Sequence, residues 1–161
     1  MGTAVGKFPV VPVPSPWSEG FWLALKDHQL AIQSCEDCGL LEHPPTVCCP
    51  DCGSFSRIWK PVAGTGVVYS YIVCHHPTHP ALADVVPYNV AAIDLDEGVR
   101  IVSSIILETG HEDLRDCIGK RVKVEYLDTD GYVLPVFRIE EQTMRLIRST
   151  EVNVEDGSRA W

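Results

Sequence analysis

A mainly β protein is what this sequence predicts: a short N-terminal helix, a small cysteine-rich ribbon and then a five-stranded barrel. Three observations lead there. Two CxxC pairs lie ten residues apart in an aperiodic, proline-containing stretch. Runs rich in β-branched and aromatic residues follow, VVYSYIVCHH, YNVAAIDL, VRIVSSIIL, KRVKVEYL and VLPVFRI, separated by turn-forming residues. Ahead of both, Ser15-Pro16 opens a segment with helical spacing.

The first element is an extended arm. KFPVVPVPSP carries four prolines, which hold the backbone extended and remove donors, so this stretch should lie along a surface. Ser15 then reads as a helix cap with Pro16 at the first helical position, and Trp17, Phe21, Ala24 and His28 recur at helical spacing, predicting a helix over 16–31. Trp17, Phe21 and Trp22 either cover one end of the barrel or form a docking face for another protein.

The second element spans 33–59. It is too short and too poor in apolar residues to be stable unaided, so a metal must supply the difference. Cys35-Glu-Asp-Cys38-Gly39 and Cys49-Pro-Asp-Cys52-Gly53 are two knuckles, each able to turn both sulfurs toward one ion, with Gly39 and Gly53 permitting the tight turns. Four thiolates leave no open position for water, which makes such a zinc site structural rather than catalytic. A pair of disulfides and an iron centre are the competing readings. Cys48 would need a looser loop to Cys52 than its neighbour Cys49, and it reads as a spectator thiol.

The third element, 60–141, begins after the break at Gly64-Thr65-Gly66. Asp96-Glu97-Gly98 joins the second and third runs as a hairpin, a brief helical stretch is expected around Glu112 to Asp116, and the turn at Asp128 to Gly131 joins the last two strands. Five strands interrupted between the third and fourth match the oligonucleotide/oligosaccharide-binding (OB) barrel, in which a short helix plugs one end; other small barrels fit as well. The remainder, 142–161, shows no clear period and reads as a weakly ordered tail, leaving 1–32 as the arm and helix.

Charge and composition narrow the function classes. The chain of 161 residues carries 13 lysines and arginines against 22 acidic residues, a net charge of -9, so nucleic acid and anionic membranes are poor partners. No apolar run approaches the roughly 20 residues of a membrane helix, the N-terminus lacks the pattern of a secretory signal, and Gly6 stands where a myristoylation signal has Ser or Thr. Seven cysteines, an odd number, with four in paired spacing, suit a reducing, cytoplasmic compartment.

No catalytic signature emerges. There is no GxSxG elbow, HExxH pair, phosphate loop or dinucleotide fingerprint. Cys74 with His75, His76 and His79 invites a second metal or a Cys/His nucleophile, but the prolines of CHHPTHP mark an exposed loop where histidines are simply solvated. Cys117 reads as a small core residue. Lys120, Arg121 and Lys123 form a local basic cluster, either a solvated strand face or a receiver for the phosphates of a ligand such as coenzyme A.

Taken in order, CEDCG, HPPTVCCPDCGS, GTGVVYSYIV, YNVAAIDLDEGVRI, IGKRVKVEY and LPVFR resemble an acyl-CoA-associated family with an N-terminal helix, a rubredoxin-like zinc ribbon and a C-terminal OB-fold, catalogued as a domain of unknown function. The likeness covers about 16–140. It implies that Cys35, Cys38, Cys49 and Cys52 are the zinc ligands. Thr46 departs from the basic residue that relatives often carry after the PP pair, and Cys48 is an extra thiol. The resemblance also implies a non-catalytic accessory subunit that binds a thiolase-like aldolase or acyltransferase acting on acyl-CoA thioesters, in steroid side-chain or polyketide metabolism, with the catalytic groups in the partner. An enoyl-CoA hydratase is the alternative partner. A module that binds single-stranded nucleic acid and a small thioesterase built on Cys74 are the readings from other classes.

Overall fold

In the computed structural model, the described residues are 10–107 and 114–140; the expectations for the tail at 142–161, for 1–9 and for Glu112 fall outside them. One helix, α1 (Glu19–Lys26), precedes a three-stranded antiparallel sheet of β1 (Ala31–Cys35), β2 (Leu41–Glu42) and β3 (Arg57–Pro61), in the order β2-β1-β3. The barrel follows: β4 (Thr65–Cys74), β5 (Tyr88–Leu95), β6 (Arg100–Ser103), β7 (Ile105–Ile106), β8 (Arg121–Asp128) and β9 (Val133–Ile139).

The helix is shorter than the predicted 16–31, for local reasons at both ends. Ser15 to Ser18 form a turn, with the Ser18 amide donating to the Ser15 carbonyl at 2.9 Å and the Ser15 amide donating to Ser18 Oγ at 2.9 Å, so the helix starts one turn late with Ser18 as its cap. At the other end Gln29 N–H reaches the Ala24 carbonyl and His28 N–H the Leu25 carbonyl, a Schellman closure. It places His28 at φ 52, where glycine is usual. His28 is held by stacking on Tyr126 at 5.2 Å and by a 3.0 Å contact with Asp128 Oδ1.

Phe21 and Leu25, four residues apart on α1, both face the core. Gly20 lets the helix approach β3 so closely that a Cβ there would run into the Trp59 indole. Leu30, just before β1, and Ile32, within it, join Phe21 and Leu25 in one continuous core with Val68, Ile93, Ile101, Val122 and Phe137 of the barrel. The arm is pinned by a 3.0 Å hydrogen bond from the Tyr132 hydroxyl to the Val10 carbonyl.

The barrel has the OB architecture the sequence predicts. β4, β5 and β6 form an antiparallel meander, β8 pairs β4 and β9 pairs β8, and β7 closes the ring by pairing parallel with β9. The third predicted strand is thus two: it changes partner at Ser104, β6 bonding β5 and β7 bonding β9. Asn89 bridges the change, its side-chain amide donating to the Ile105 carbonyl at 2.8 Å and accepting the Ile105 N–H at 2.7 Å. Gly66 allows β4 to cross β5 at a distance no side chain would permit, since a Cβ would strike the Asp94 carbonyl. Leu114–Asp116 form a single 3-10 turn before β8, burying Leu114 and Cys117.

Candidate metal centre

The two cysteine knuckles repeat one backbone pattern. Cys35 ends β1, and Gly39 N–H donates to its carbonyl at 3.0 Å; Gly53 N–H donates to the Cys49 carbonyl at 2.9 Å. The Cys35 N–H bonds the Leu40 carbonyl and the Cys49 N–H bonds that of Ser54, completing each loop. Gly39 and Gly53 stand at φ 79 and 73, a backbone shape that a side chain resists.

This geometry turns amides as well as sulfurs inward. Backbone N–H groups of Cys38 and Asp37 lower the Cys35 thiol to about 6 against the opposing effect of desolvation, and those of Cys52 and Asp51 lower Cys49 likewise. On the second cysteines the amides of Leu40 and Ser54 also favour the thiolate. Desolvation and crowding by neighbouring sulfurs outweigh them, lifting Cys38 to about 12 and raising Cys52. Four thiols so close cannot all ionise without a cation among them.

The four sulfurs lie within 4.8 Å of one another, with Cys35 to Cys52 at 3.5 Å and Cys38 to Cys49 at 3.6 Å. Zinc bonded at about 2.3 Å to each vertex of a tetrahedron would put its sulfurs about 3.8 Å apart, so the cluster fits that ion closely. When bound, zinc supplies structure here: all four positions of the tetrahedron are taken by sulfur, and the ion ties two loops to β1. Cys49 is buried within the cluster while Cys48 is exposed outside it.

Beside the cluster, the ribbon sheet carries a polar network on one face. Arg57 lies directly across from Cys35, and Gln33 directly across from Glu42. The Arg57 guanidinium pairs with the Glu42 carboxylate, and its Nη2 donates to Gln33 Oε1 at 2.8 Å. Thr46 N–H also donates to Gln33 Oε1, at 2.9 Å, and its hydroxyl lies 2.7 Å from Glu42 Oε2 and 2.8 Å from the Cys48 carbonyl. Thr46 therefore belongs to this network. Sequence reasoning missed Arg57, because a charged residue at the start of a short strand gives no sign of burial until register is known.

The other candidate residues are scattered. Phe21 is 6% exposed and packs on Trp22 and on His43, so it has no surface to offer a partner. Its position four residues from Leu25 places it on the core side of α1, which corrects its inclusion in a docking face. Trp22 is half-buried and Trp17 exposed. Arg121 is engaged by Asp96 through two hydrogen bonds of 2.6 and 2.7 Å, which with Thr65 hold the Asp96 carboxyl well below the usual carboxylate range. Lys120 and Lys123 are exposed. His75, His76 and His79 are exposed beyond the half-buried Cys74, and His79 Nδ1 accepts the Ala81 N–H as a cap on the turn Pro80–Leu82. Among the described residues, only the four knuckle cysteines are grouped as metal ligands.

No helix among the described residues is long and apolar enough to cross a membrane. Comparison with known proteins gives the chain a family. Residues 22–56 match the family described as "ChsH2, rubredoxin-like zinc ribbon domain" and residues 59–127 that described as "ChsH2, C-terminal OB-fold domain". The chain is 47% identical over 120 residues to a "Probable enoyl-CoA hydratase alpha subunit" of Thermomonospora curvata, covering 73% of this chain and 36% of that protein. It is 32% identical over 121 residues to the "3-oxo-4,17-pregnadiene-20-carboxyl-CoA hydratase alpha subunit" of Mycobacterium tuberculosis, covering 75% of this chain and 37% of that one. This chain thus spans little more than a third of the length of those two relatives. A "DUF35 domain-containing scaffold protein" of Methanothermobacter thermautotrophicus is 28% identical, with 72% of this chain and 89% of that protein covered. Among solved structures, a chain of the "Ltp2-ChsH2(DUF35) aldolase" is 42% identical with a TM-score of 0.69, covering 80% of this chain and 98% of that chain. With its zinc ribbon, its closed OB barrel and these relatives, this chain belongs to the ChsH2 family of DUF35 proteins.

Proposed function

We propose that this chain is a non-catalytic accessory subunit that binds a thiolase-like aldolase or acyltransferase acting on acyl-CoA thioesters. The observation that carries this reading is the match to 98% of a chain named as part of an aldolase with Ltp2, at 42% identity. A relative named a scaffold supports the division of labour, with chemistry in the partner and positioning here. The architecture suits that role: a metal-fixed ribbon and a closed barrel share one core and so present a stiff surface. On this reading Cys35, Cys38, Cys49 and Cys52 hold a structural zinc, and the exposed Trp17 and Leu23 of the helix region, with the exposed Val11 and Val13 of the arm, are offered to the partner. Lys120 and Lys123 are left as the cations that could meet the phosphates of a coenzyme A thioester, Arg121 being committed to Asp96.

A steroid acyl-CoA is the substrate class we favour for the complex, from the printed name of the mycobacterial relative. That name, with the actinobacterial one, also favours a second reading, partnership with an enoyl-CoA hydratase. Affinity purification of the tagged chain from its native cell, followed by identification of co-purifying proteins, separates the two. A thiolase-fold enzyme that loses aldolase activity when this chain is withdrawn supports the first reading, a hydratase supports the second, and recovery as a lone monomer removes both.

A further inference from the structure

The Arg57 side chain is 8% exposed, which makes its hydrogen-bond accounting informative. A guanidinium has five N–H donors. Nη2 serves Glu42 and Gln33, whereas Nε and Nη1 are buried and meet no hydrogen-bond partner among the described residues. Three N–H groups shut away from water are costly to leave without acceptors. Their surroundings name the acceptor. Arg57 lies directly across from Cys35 in the β1–β3 register, on the face that carries Gln33 and Glu42.

We propose that Arg57 is the counter-cation of the four-thiolate centre: Glu42 and Gln33 fix the orientation of its fork, and its remaining N–H groups serve the zinc-bound sulfurs of that centre. A divalent ion with four thiolates carries a formal charge of about -2, which a partly buried site tolerates poorly without a cation and donors beside it. The role is one of positioning and charge compensation, and it concerns metal retention rather than any reaction. It rests on the zinc site alone, so its failure leaves the accessory-subunit reading untouched.

Two measurements test it on the full chain. In protein loaded with cadmium-113 and labelled with nitrogen-15, a scalar coupling from the metal to the Arg57 Nε–H or Nη1–H, carried through an N–H···S hydrogen bond, is expected; its absence, with couplings from the knuckle amides present, overturns the proposal. Zinc affinity is then measured by chelator competition. Arg57→Met should weaken it roughly 10- to 100-fold, Arg57→Lys less, and Glu42→Gln by no more than about 3-fold. A residue that only clamps the three strands would give Glu42→Gln and Arg57→Met equal losses, which would also overturn it. Should Arg57→Met fail to fold, the coupling in the unaltered protein decides.

Discussion

The side-chain amide of Asn89 pairs with both backbone groups of Ile105, taking the place of a neighbouring strand where the third run of the barrel changes partner. The Asn89 carbonyl also accepts the Ser104 hydroxyl at 3.0 Å, so one residue satisfies the break on three sides. Asn89→Ala would leave the Ile105 N–H and carbonyl without these partners in a half-buried setting. The expected cost is roughly 1–3 kcal/mol of stability, read as a lower urea midpoint with unchanged slope. A loss below about 0.5 kcal/mol would mean that water replaces the amide freely.

At the metal centre the two adjacent thiols should behave oppositely. Cys48→Ser leaves one zinc per chain by elemental analysis, because Cys48 lies outside the sulfur cluster. Cys49→Ser removes a buried ligand and should reduce zinc content and melting temperature together. Equal zinc in both variants would refute the ligand assignment.

Gly66 is required by a close crossing rather than by a turn. Gly66→Ala would drive a methyl group into the Asp94 carbonyl, which is backbone and has little room to yield. Thermal unfolding should show a loss of about 2 kcal/mol or more, whereas Gly131→Ala, where a Cβ meets nothing within 4 Å but φ is 99, is opposed by backbone strain alone and should cost about 1 kcal/mol.

His43 gives a pH dependence with a definite sign. Burial pushes its imidazole down to about 4 from an ordinary 6.5, because the charged form is poorly solvated beside Phe21. The stability it contributes is complete above the unfolded value and is lost as pH falls from about 6.5 toward 4, at a slope approaching 1.4 kcal/mol per pH unit. Ring-proton NMR should follow the titration near pH 4. His43→Gln should flatten the stability curve over that interval; an unchanged slope would assign the acid sensitivity elsewhere.

The exposed aromatic just ahead of α1 offers a test of partner binding. Trp17→Ala combined with Leu23→Ser should leave melting temperature within the effect of ordinary surface changes, since both side chains are exposed, and should lower co-purification of the partner enzyme at least 10-fold. Full retention would move the contact to another face.

Much of this structure could be read in advance because its signals were local. The paired CxxC spacing places four sulfurs in one cluster through loop chemistry alone, and the strand runs with their turns carried the barrel. What escaped prediction depended on distant partners. The helix looked longer because His28 occupies a left-handed position usually held by glycine, fixed by Tyr126 and Asp128 some 100 residues away in sequence. The third strand looked single because nothing within VRIVSSIIL announces a change of neighbour at Ser104. Arg57 and Glu42 went unnoticed because their burial follows from sheet register, which no short window contains.

Leu30 and Ile32 belong to the interior of the barrel although they lie on the path into the ribbon. The two halves therefore cannot be separated by scissors: a fragment beginning at β4 would carry a greasy hole where those side chains belong. Losing the metal should accordingly be felt as a softening of the distant barrel wall, so that one small ion governs the lifetime of the whole chain.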